Sequence, residues 1–469
     1  MSKQDQKELR QQIACEWLEE NYLQFGSLRH DVVTDRLQIR MADSLEDASL
    51  QNAPEGLQFR GKENWRNLTD KDINTMVCQC VAEKGVNIST NEMWTALKSD
   101  MVPAVHPLRA WLDGLRPYTA DQPDWIDMVA QQVKVRDSAS SGVQELRSSG
   151  VTSEQARSAT EPSEPLTSGS SADRLWRACF KKWFVAMVAS WMKDEVVNHT
   201  VLVLVGRQGI FKTTWLDNLI PPELRAYSSK LPLSGQISKD DRLRLCENGM
   251  LNIDELDAMC GREMNIVKSL LTSTDVNERA AYGRLKERRM RLASFCASTN
   301  NREFLTDITG NRRWLPFEVE NIQNPFHITL PYERIYAQAK ALIEGGTYMY
   351  WFDLEDIEQL EKHNEDFRAQ ENEEQLLPIL FDIPAEGKGE FMTTAEISDL
   401  LVTYGGIKRP MKTRQLGVIM GKLQFKKAQA YMSGTCVRGW MVHKRLDDEI
   451  IRAKKNNIDY ATKQQSDVF

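Results

Sequence analysis

The chain has 469 residues, 41% of them apolar and 27% charged, which is an ordinary balance for globular domains. Its net charge of −7 argues against the overall basic surplus of many nucleic-acid-binding proteins, so any such contact has to come from a local patch. The polar N-terminus lacks the apolar region of a secretory signal, and no apolar run is long enough to span a membrane. Eight scattered cysteines argue against a disulfide framework. These features favour a cytoplasmic protein.

Residues 1–137 are predicted to form a mainly α-helical N-terminal domain. Thr69 begins a segment with apolar residues at helical spacing that ends at Gly85. Ser89 and Glu92 have the spacing of a capping box, in which each residue bonds to the other's backbone at a helix start. Two consecutive helices are therefore expected here.

A segment rich in Ser, Thr, Glu and Gly occupies residues 138–172. It has almost no large apolar side chains, so it cannot bury a core and is predicted to be a flexible linker. The next domain is predicted over residues 173–345. It opens with a stripe of large apolar residues at helical spacing, which predicts a buried helix face rather than an aromatic nucleic-acid platform. The stripe consists of Trp176, Phe180, Trp183, Met187 and Trp191.

A phosphate-binding loop is predicted directly after the apolar run 201–205, which has the length and composition of a strand buried on both faces. Strand, glycine-rich loop, Lys-Thr and helix follow one another as a P-loop requires. Glycines let backbone N–H groups turn toward phosphate oxygens, and the helix presents its positive end to them. Phe211 departs from the pattern, because a glycine is usual directly before the lysine. The predicted nucleotide-binding residues are Gly206, Gln208, Gly209, Lys212, Thr213 and Thr214.

Two acidic residues end a second short apolar run, 250–253. In P-loop enzymes the first carboxylate of such a pair holds the magnesium shell and the second polarises the attacking water. Asp254 is therefore predicted to bind Mg²⁺ together with the hydroxyl of Thr213, and Glu255 is predicted to activate water. The alternative interpretation is a strand running into a helix cap.

Two further polar motifs follow in order. Asn300 ends an apolar run that starts at residue 293, where an amide can orient the lytic water. Arg312 and Arg313 follow a glycine turn and are candidates for an arginine finger that contacts phosphate. Both are assigned to catalysis, with the alternatives of a simple turn and a surface charge pair.

Between these motifs, residues 279–291 contain six basic residues and one acidic residue. Cations neutralise phosphates and an aromatic ring can stack on a base, so this segment is a candidate for contacting single-stranded DNA. The alternatives are a solvated basic face and an arginine that senses nucleotide. The candidate residues are Arg279, Tyr282, Arg284, Lys286, Arg288 and Arg289.

The C-terminal third is predicted to contain an acidic helical connector (346–387), a winged-helix-like module (388–445) and a polar tail (446–469). Residues 353–374 carry ten acidic and two basic residues, which favours a solvated helix. The module reads as helix, helix, hairpin, and residues 408–427 hold seven Lys or Arg without Asp or Glu. Either DNA or a protein partner suits that patch.

Taken together, these motifs resemble the virulence-associated protein E (VapE) family of phages and mobile genetic elements. Residues 65–112 more weakly resemble the region that precedes the ATPase of that family. The resemblance implies an α/β P-loop core like that of superfamily 3 helicases in the AAA+ group, with ATP and Mg²⁺ as cofactors. It also implies a DNA helicase in replication, forming a homo-oligomeric ring in which Arg312 or Arg313 reaches the neighbouring subunit's ATP. The motifs that carry it are 206–215, 252–256, 279–284, 298–300 and 305–314.

Two alternatives compete with a DNA-translocating helicase. One is a non-translocating ATPase switch that assembles on ATP and binds a partner. The other is a primase-polymerase, whose chemistry needs clustered metal-binding carboxylates. Asp121, Asp124 and Asp127 are the N-terminal candidates for such a cluster.

Overall fold

The computed structural model describes residues 3–40, 65–137, 170–231, 237–253, 256, 261–278, 287–305, 311–369, 372–384, 389–405, 411–432 and 435–450. The chain forms two compact units, residues 1–367 and 368–469. Most of the predicted linker, residues 138–169, lies outside the described residues, and the helix after it begins at Ser171, two residues before the predicted boundary.

The N-terminal part of the first unit combines helices with a four-stranded sheet of order β3-β2-β1-β4. The prediction of a mainly α-helical domain was therefore wrong in omitting this sheet. Its strands have only two to five residues, and His30 pairs with the distant Ala104, so no local periodicity signals them. The elements are α1 (Lys3–Leu18), β1 (Leu28–Asp31), β2 (Arg36–Arg40), β3 (Trp65–Asn67), α2 (Asp70–Lys84), α3 (Thr90–Leu97), β4 (Ala104–Val105), α4 (Pro107–Asp113), α5 (Trp125–Ala130) and β5 (Val133–Val135).

The two predicted N-terminal helices are confirmed as α2 and α3, with their caps. Thr69 accepts a hydrogen bond from the backbone of Asp72, and Ser89 accepts one from Glu92, both in reciprocal capping boxes. Gly85 ends α2 in the left-handed conformation, with φ of 68°. These local signals fix helix ends because they satisfy backbone groups that have no partner within the helix.

The rest of the first unit is built around a six-stranded sheet of order β5-β12-β6-β11-β8-β7. All neighbours from β12 to β7 are parallel, and β5 joins the β12 edge antiparallel. The core sheet thus takes a strand from the segment that was predicted to belong to the N-terminal domain. The elements are α6 (Ser171–Met192), β6 (Val201–Val205), α7 (Lys212–Asp217), β7 (Ser228–Lys230), α8 (Lys239–Glu247), β8 (Met250–Ile253), α9 (Gly261–Thr272), β9 (Asp275–Glu278), β10 (Glu287–Met290), β11 (Ser294–Thr299), β12 (Trp314–Ile322), α10 (Tyr332–Glu344) and α11 (Leu354–Asn364).

Apolar side chains cover both faces of this sheet, as the run 201–205 predicted. Leu202 and Leu204 of β6 pack into one core with the aromatic stripe of α6, whereas Val203 belongs to a second core on the other face. The stripe is fully buried, which confirms core packing. Its indoles are also hydrogen-bonded, since Trp183 Nε1 donates to the carbonyl of Phe295 at 3.0 Å. Burial without such a bond would be costly.

The N-terminal sheet is tied to the core through a buried carboxylate. Asp31 of β1 accepts a hydrogen bond at 2.9 Å from the hydroxyl of Tyr227, which follows α7 in the chain, and others from the backbone of Val33 and the side chain of Thr34. Burial and the neighbouring carboxylate raise the pKa of Tyr227. The tyrosine therefore stays protonated and keeps its donor.

The acidic segment is not solvated along its whole length, which corrects the prediction for α11. Asp356 of α11 forms an ion pair with Lys182 of α6, and both side chains are 1% exposed. Also in α11, His363 Nε2 lies 2.7 Å from the carbonyl of Pro316, and burial lowers the pKa of this imidazole. The lysine that makes an acidic residue tolerable in the interior lies 174 positions away, so composition alone cannot identify it.

Replacing Lys182 by methionine is expected to lower the free energy of unfolding of the first unit by about 3–5 kcal/mol, because the Asp356 carboxylate then stays buried without its cation. Urea denaturation followed by tryptophan fluorescence measures this loss. The double variant Lys182→Met/Asp356→Leu should regain most of it, since neither charge remains. A single variant as stable as the parent would contradict the assignment of a buried ion pair.

The second unit has the predicted order of helix, helix and hairpin. Thr393 and Glu396 form the predicted capping box. The apolar face of α14 is buried, and β15 pairs with β16 next to β14 and β13. The turn 433–434 and the tail beyond residue 450 lie outside the described residues. The elements are α12 (Asn372–Leu380), β13 (Phe381–Asp382), β14 (Glu390–Thr393), α13 (Thr394–Gly405), α14 (Thr413–Lys422), β15 (Lys426–Met432) and β16 (Thr435–Lys444).

Candidate nucleotide-binding site

The predicted phosphate-binding loop connects β6 to α7 at the carboxyl edge of the parallel strands. After β6 the chain continues through the β7 side of the sheet, and β12 later pairs with β6 on the opposite side. In open α/β sheets, ligands bind outside the carboxyl ends of the strands where connections diverge in this way. The topology thus gives the loop a position suited to ligand binding.

The backbone of the loop turns sharply at its start. Gly206 has φ of 156°, and a Cβ atom there would lie 2.8 Å from the carbonyl oxygen of Val319. No larger residue fits without moving β12. The adjacent residues Gln208 and Gly209 are solvent-exposed, so this part of the loop is accessible to a ligand.

Phe211, the residue that departs from the P-loop pattern, keeps the backbone conformation that favours glycine. Its φ is 67°, in the left-handed region, at a cost of about 1–2 kcal/mol for an L-residue. Its ring packs edge-on against Phe326, with 6.1 Å between the centroids. Phe211 therefore takes the place of the usual glycine, and the loop still makes the turn.

Lys212 is the first residue of α7 and is directed back into the loop. Its side-chain nitrogen donates hydrogen bonds to the carbonyls of Gly206 at 2.6 Å and Arg207 at 2.7 Å. A third bond, of 2.9 Å, goes to the side-chain oxygen of Asn300, just beyond β11. Two residues predicted for the site, separated by 88 positions, are thus in direct contact.

Thr213, the predicted metal ligand, also contacts β11. Its hydroxyl lies 2.9 Å from that of Ser298, which is buried. Ser298 was not among the predicted site residues, although alternate residues of a strand share a face and Ser298 is two positions before Asn300. Thr214 follows on α7 and is half-buried. The carboxyl end of β11 therefore contributes two polar side chains to the start of α7.

The strand predicted to carry the acidic pair is next to β11. In β8, Ile253 pairs with Ala297, the residue before Ser298. Asp254 and Glu255 follow Ile253 in the sequence and lie outside the described residues. Asn252, the residue of β8 before Ile253, donates a 2.7 Å hydrogen bond to Asp217 of α7, and neither residue was among the predicted site residues.

The two candidate arginines lie at the opposite edge of the sheet. Arg312 is exposed and Arg313 is half-buried, directly before β12. Trp314, the next residue, pairs with Val201, where β6 begins, whereas the loop starts after Val205. Four strand residues span about 13 Å, so neither arginine is next to Lys212 of its own chain.

The candidate DNA-binding segment is only partly described. Strands β9 and β10 pair antiparallel on either side of it, and Arg279, Tyr282, Arg284 and Lys286 lie outside the described residues. Arg288 is exposed and pairs with Asp275. Arg289 is instead largely buried, 3.5 Å from Glu247, and donates to the carbonyl of Val33. Arg289 therefore packs against the N-terminal part instead of presenting a free basic surface.

The acidic residues considered for a polymerase site have other partners. Asp124 caps α5 and pairs with Lys181, while Asp127 pairs with Arg177. Among the residues that the structure describes, no group of three His, Cys, Asp or Glu side chains could hold a metal ion. The metal-cluster alternative therefore has no support in these residues.

Every helix within the described ranges is too short or too polar to cross a membrane.

Residues 158–369 match the family model of the virulence-associated protein E-like domain. No curated protein matches the chain. Two apo structures of the NrS-1 C-terminal region are 10% and 11% identical to this chain, with TM-scores of 0.38 and 0.36. Each alignment covers 90% of this chain, and they cover 97% and 98% of the respective NrS-1 chains. Residues 158–369 therefore form a virulence-associated protein E-like domain, which confirms the resemblance that the sequence motifs indicated.

Proposed function

We propose that this chain is a P-loop ATPase that drives DNA unwinding in the replication of a phage or mobile element. The observation that carries the proposal is the contact of Lys212 with both the loop carbonyls and Asn300. It brings a cation, a helix N-terminus and a strand-end amide together at the carboxyl edge of a parallel sheet. That combination suits a triphosphate and a water that attacks it.

The described residues fit a phosphate group. Three hydrogen bonds of the Lys212 ammonium to described residues end on neutral oxygens at the mouth of the loop. A charged phosphate oxygen is a stronger acceptor and can replace them. The backbone N–H groups of the exposed residues Gln208 and Gly209, together with Thr214 at the start of α7, complete a cradle for the anion.

The order of the strands supports separate roles for Asn300 and Asp254 at this site. Asn300 leaves a strand that lies between the loop strand β6 and β8, which leads to Asp254. In the proposed site, Thr213 and Asp254 would hold a magnesium ion, Glu255 would accept a proton from the attacking water, and Asn300 would orient that water. Bound magnesium would neutralise charge on the phosphates. Such an arrangement is that of an AAA+-like, superfamily 3-like P-loop core.

The position of the arginines favours a ring. Arg312 and Arg313 lie about 13 Å or more from the loop of their own chain, by the length of β6. An arginine at that distance does not reach ATP bound to its own subunit, so the ATP that it contacts must be bound to another subunit. We therefore propose a homo-oligomer in which the amino edge of one sheet faces the nucleotide of the next.

A single pair of assays tests the function. ATP hydrolysis is measured with and without single-stranded DNA, and strand displacement is measured on a forked duplex. A helicase should show DNA-stimulated hydrolysis and ATP-dependent unwinding. The second candidate, an ATPase switch, is favoured by the engagement of Arg289 within its own subunit. Unstimulated hydrolysis without unwinding would select it, and no hydrolysis at all would exclude both.

Replacing Glu255 by glutamine should leave ATP binding intact while hydrolysis falls by about 10²- to 10⁴-fold, the usual contribution of general base catalysis. The amide keeps the size of the side chain but cannot accept the proton. Binding is measured with a fluorescent ATP analogue and hydrolysis by phosphate release. Replacing Glu247, which is paired with Arg289, by glutamine provides the control. A Glu255 variant with parental turnover would remove this residue from the mechanism.

A further inference from the structure

The second unit has a segment whose charged side chains are all basic, and the proposed nucleotide site does not include it. Between residues 411 and 446 there are eight Lys or Arg and no Asp or Glu, in a chain whose net charge is −7. The segment comprises α14 and the hairpin β15–β16. The acidic side chains of this unit lie on other elements, such as Glu396 on α13 and Asp447 after β16. The positive charge is thus concentrated on one helix and one hairpin.

Helix α14 separates an apolar side from an outward side. Leu416, Ile419 and Met420 are fully buried in the module. Arg414 and Val418 are exposed one turn apart on the outward side. Among the described residues, Arg414 forms no ion pair. The outward side of the helix therefore presents an arginine beside a single apolar residue rather than a continuous apolar row.

The register of the hairpin places its polar tip on the same side as α14. Directly paired residues share a face, and one face contains the pairs Lys427–Trp440, Gln429–Arg438 and Tyr431–Cys436. A Cβ atom at Gly417 or Gly421 of α14 would lie 3.8 Å from the Trp440 ring. Trp440 therefore lies beneath α14, and the pairs beyond it extend this face past the helix.

The exposed tip of that face has an arginine and an aromatic ring. Arg438 is exposed, and Tyr431 is 84% exposed. Lys427, on the same face at the base of β15, is exposed as well. Helix and hairpin together thus expose Arg414, Lys427 and Arg438, with Val418 and Tyr431 as their exposed apolar groups.

We propose that this surface binds double-stranded DNA, with α14 in the major groove and the hairpin tip on the adjacent phosphate backbone. An isolated helix backed by a core fits the width of the major groove, and its N-terminal residues contact base edges, which is where Arg414 lies. Arg438 supplies a bidentate phosphate contact beside it. A protein-docking surface of this size would need a larger exposed apolar centre than Val418 and Tyr431 provide.

The experiment compares full-length parent and the double variant Arg414→Gln/Arg438→Gln in binding a labelled duplex of roughly two helical turns. ATP and Mg²⁺ are omitted, so the nucleotide site plays no part. We expect the variant to bind about 10- to 100-fold more weakly, and its dependence of log affinity on log salt to become shallower by about 2, one for each lost contact. The same strand without its complement is measured in parallel.

Matched controls separate local contact from net charge and from folding. Lys7→Gln/Lys71→Gln removes two exposed charges of the first unit and should leave duplex affinity within about twofold. Arg414→Lys/Arg438→Lys keeps the charge and should retain the salt slope while losing part of the affinity. Parental duplex binding by the glutamine variant, or an equal loss in the Lys7/Lys71 control, would overturn the proposal. Tighter binding of the single strand at this surface would overturn it as well.

The outcome is independent of the ATPase proposal. Introducing Lys212→Ala should leave duplex binding without nucleotide unchanged, whatever that variant does to ATP turnover. Loss of duplex binding in Lys212→Ala would move the DNA site to the first unit and contradict the assignment to α14 and the hairpin.

Discussion

Replacing Lys212 by alanine is expected to reduce steady-state ATP turnover by on the order of 10³-fold, the effect of removing one preorganised charge from the developing transition state. The ammonium is held inside the loop by the carbonyls of Gly206 and Arg207 and by Asn300. Phosphate release at saturating ATP measures the loss.

The control for this variant is Lys193→Ala, which removes an exposed lysine after α6. It should hydrolyse ATP at the parental rate. Thermal unfolding shows whether each variant is folded; the Lys212 variant should have the lower midpoint, because it loses a buried side chain with three hydrogen bonds. If Lys212→Ala folds normally and still hydrolyses ATP at the parental rate, the proposed nucleotide site is wrong.

The second large effect concerns the arginines that precede β12. Arg312→Ala or Arg313→Ala, whichever is the finger, should lower turnover by about 10³- to 10⁵-fold while ATP still binds. Since the two residues are at the far edge of the sheet, the defect should be repaired in mixed oligomers. Mixing the inactive arginine variant with Lys212→Ala creates interfaces with one intact loop and one intact arginine, and hydrolysis should reappear there.

Titration of one inactive variant against the other gives the sharpest form of this test. Activity should rise to a maximum near equal proportions and vanish at either end. The arginine that is not the finger serves as the internal control, because its variant should remain active alone. A mixture as inactive as its components, at concentrations where oligomers are demonstrated by light scattering, would contradict a site shared between subunits.

Local sequence patterns determined several parts of this protein correctly. The run 201–205 is a strand buried on both faces, the capping boxes at Thr69 and Ser89 start helices, and the stripe on α6 is core. Each of these signals spans one or two helical turns or a few strand residues. Over that length, side-chain periodicity and the need to hydrogen-bond the backbone at helix ends are enough to predict the structure. The contact of Lys212 with Asn300 was also predictable, because both residues end or follow apolar runs that pair as parallel strands.

Tertiary structure decided what depended on distant partners. The strands around His30 and Ala104, the role of Ser298 beside Thr213 and the burial of Asp356 against Lys182 all join residues that are far apart in sequence. The pairing of Trp314 with Val201 likewise places Arg312 at the opposite end of β6 from the loop that holds Lys212. The sequence motifs do not reveal this, because they would be the same in any other strand register. Sequence by itself thus determined which groups this protein can use for chemistry. Folding decided which of them meet, because contacts between distant segments form only when the whole chain packs.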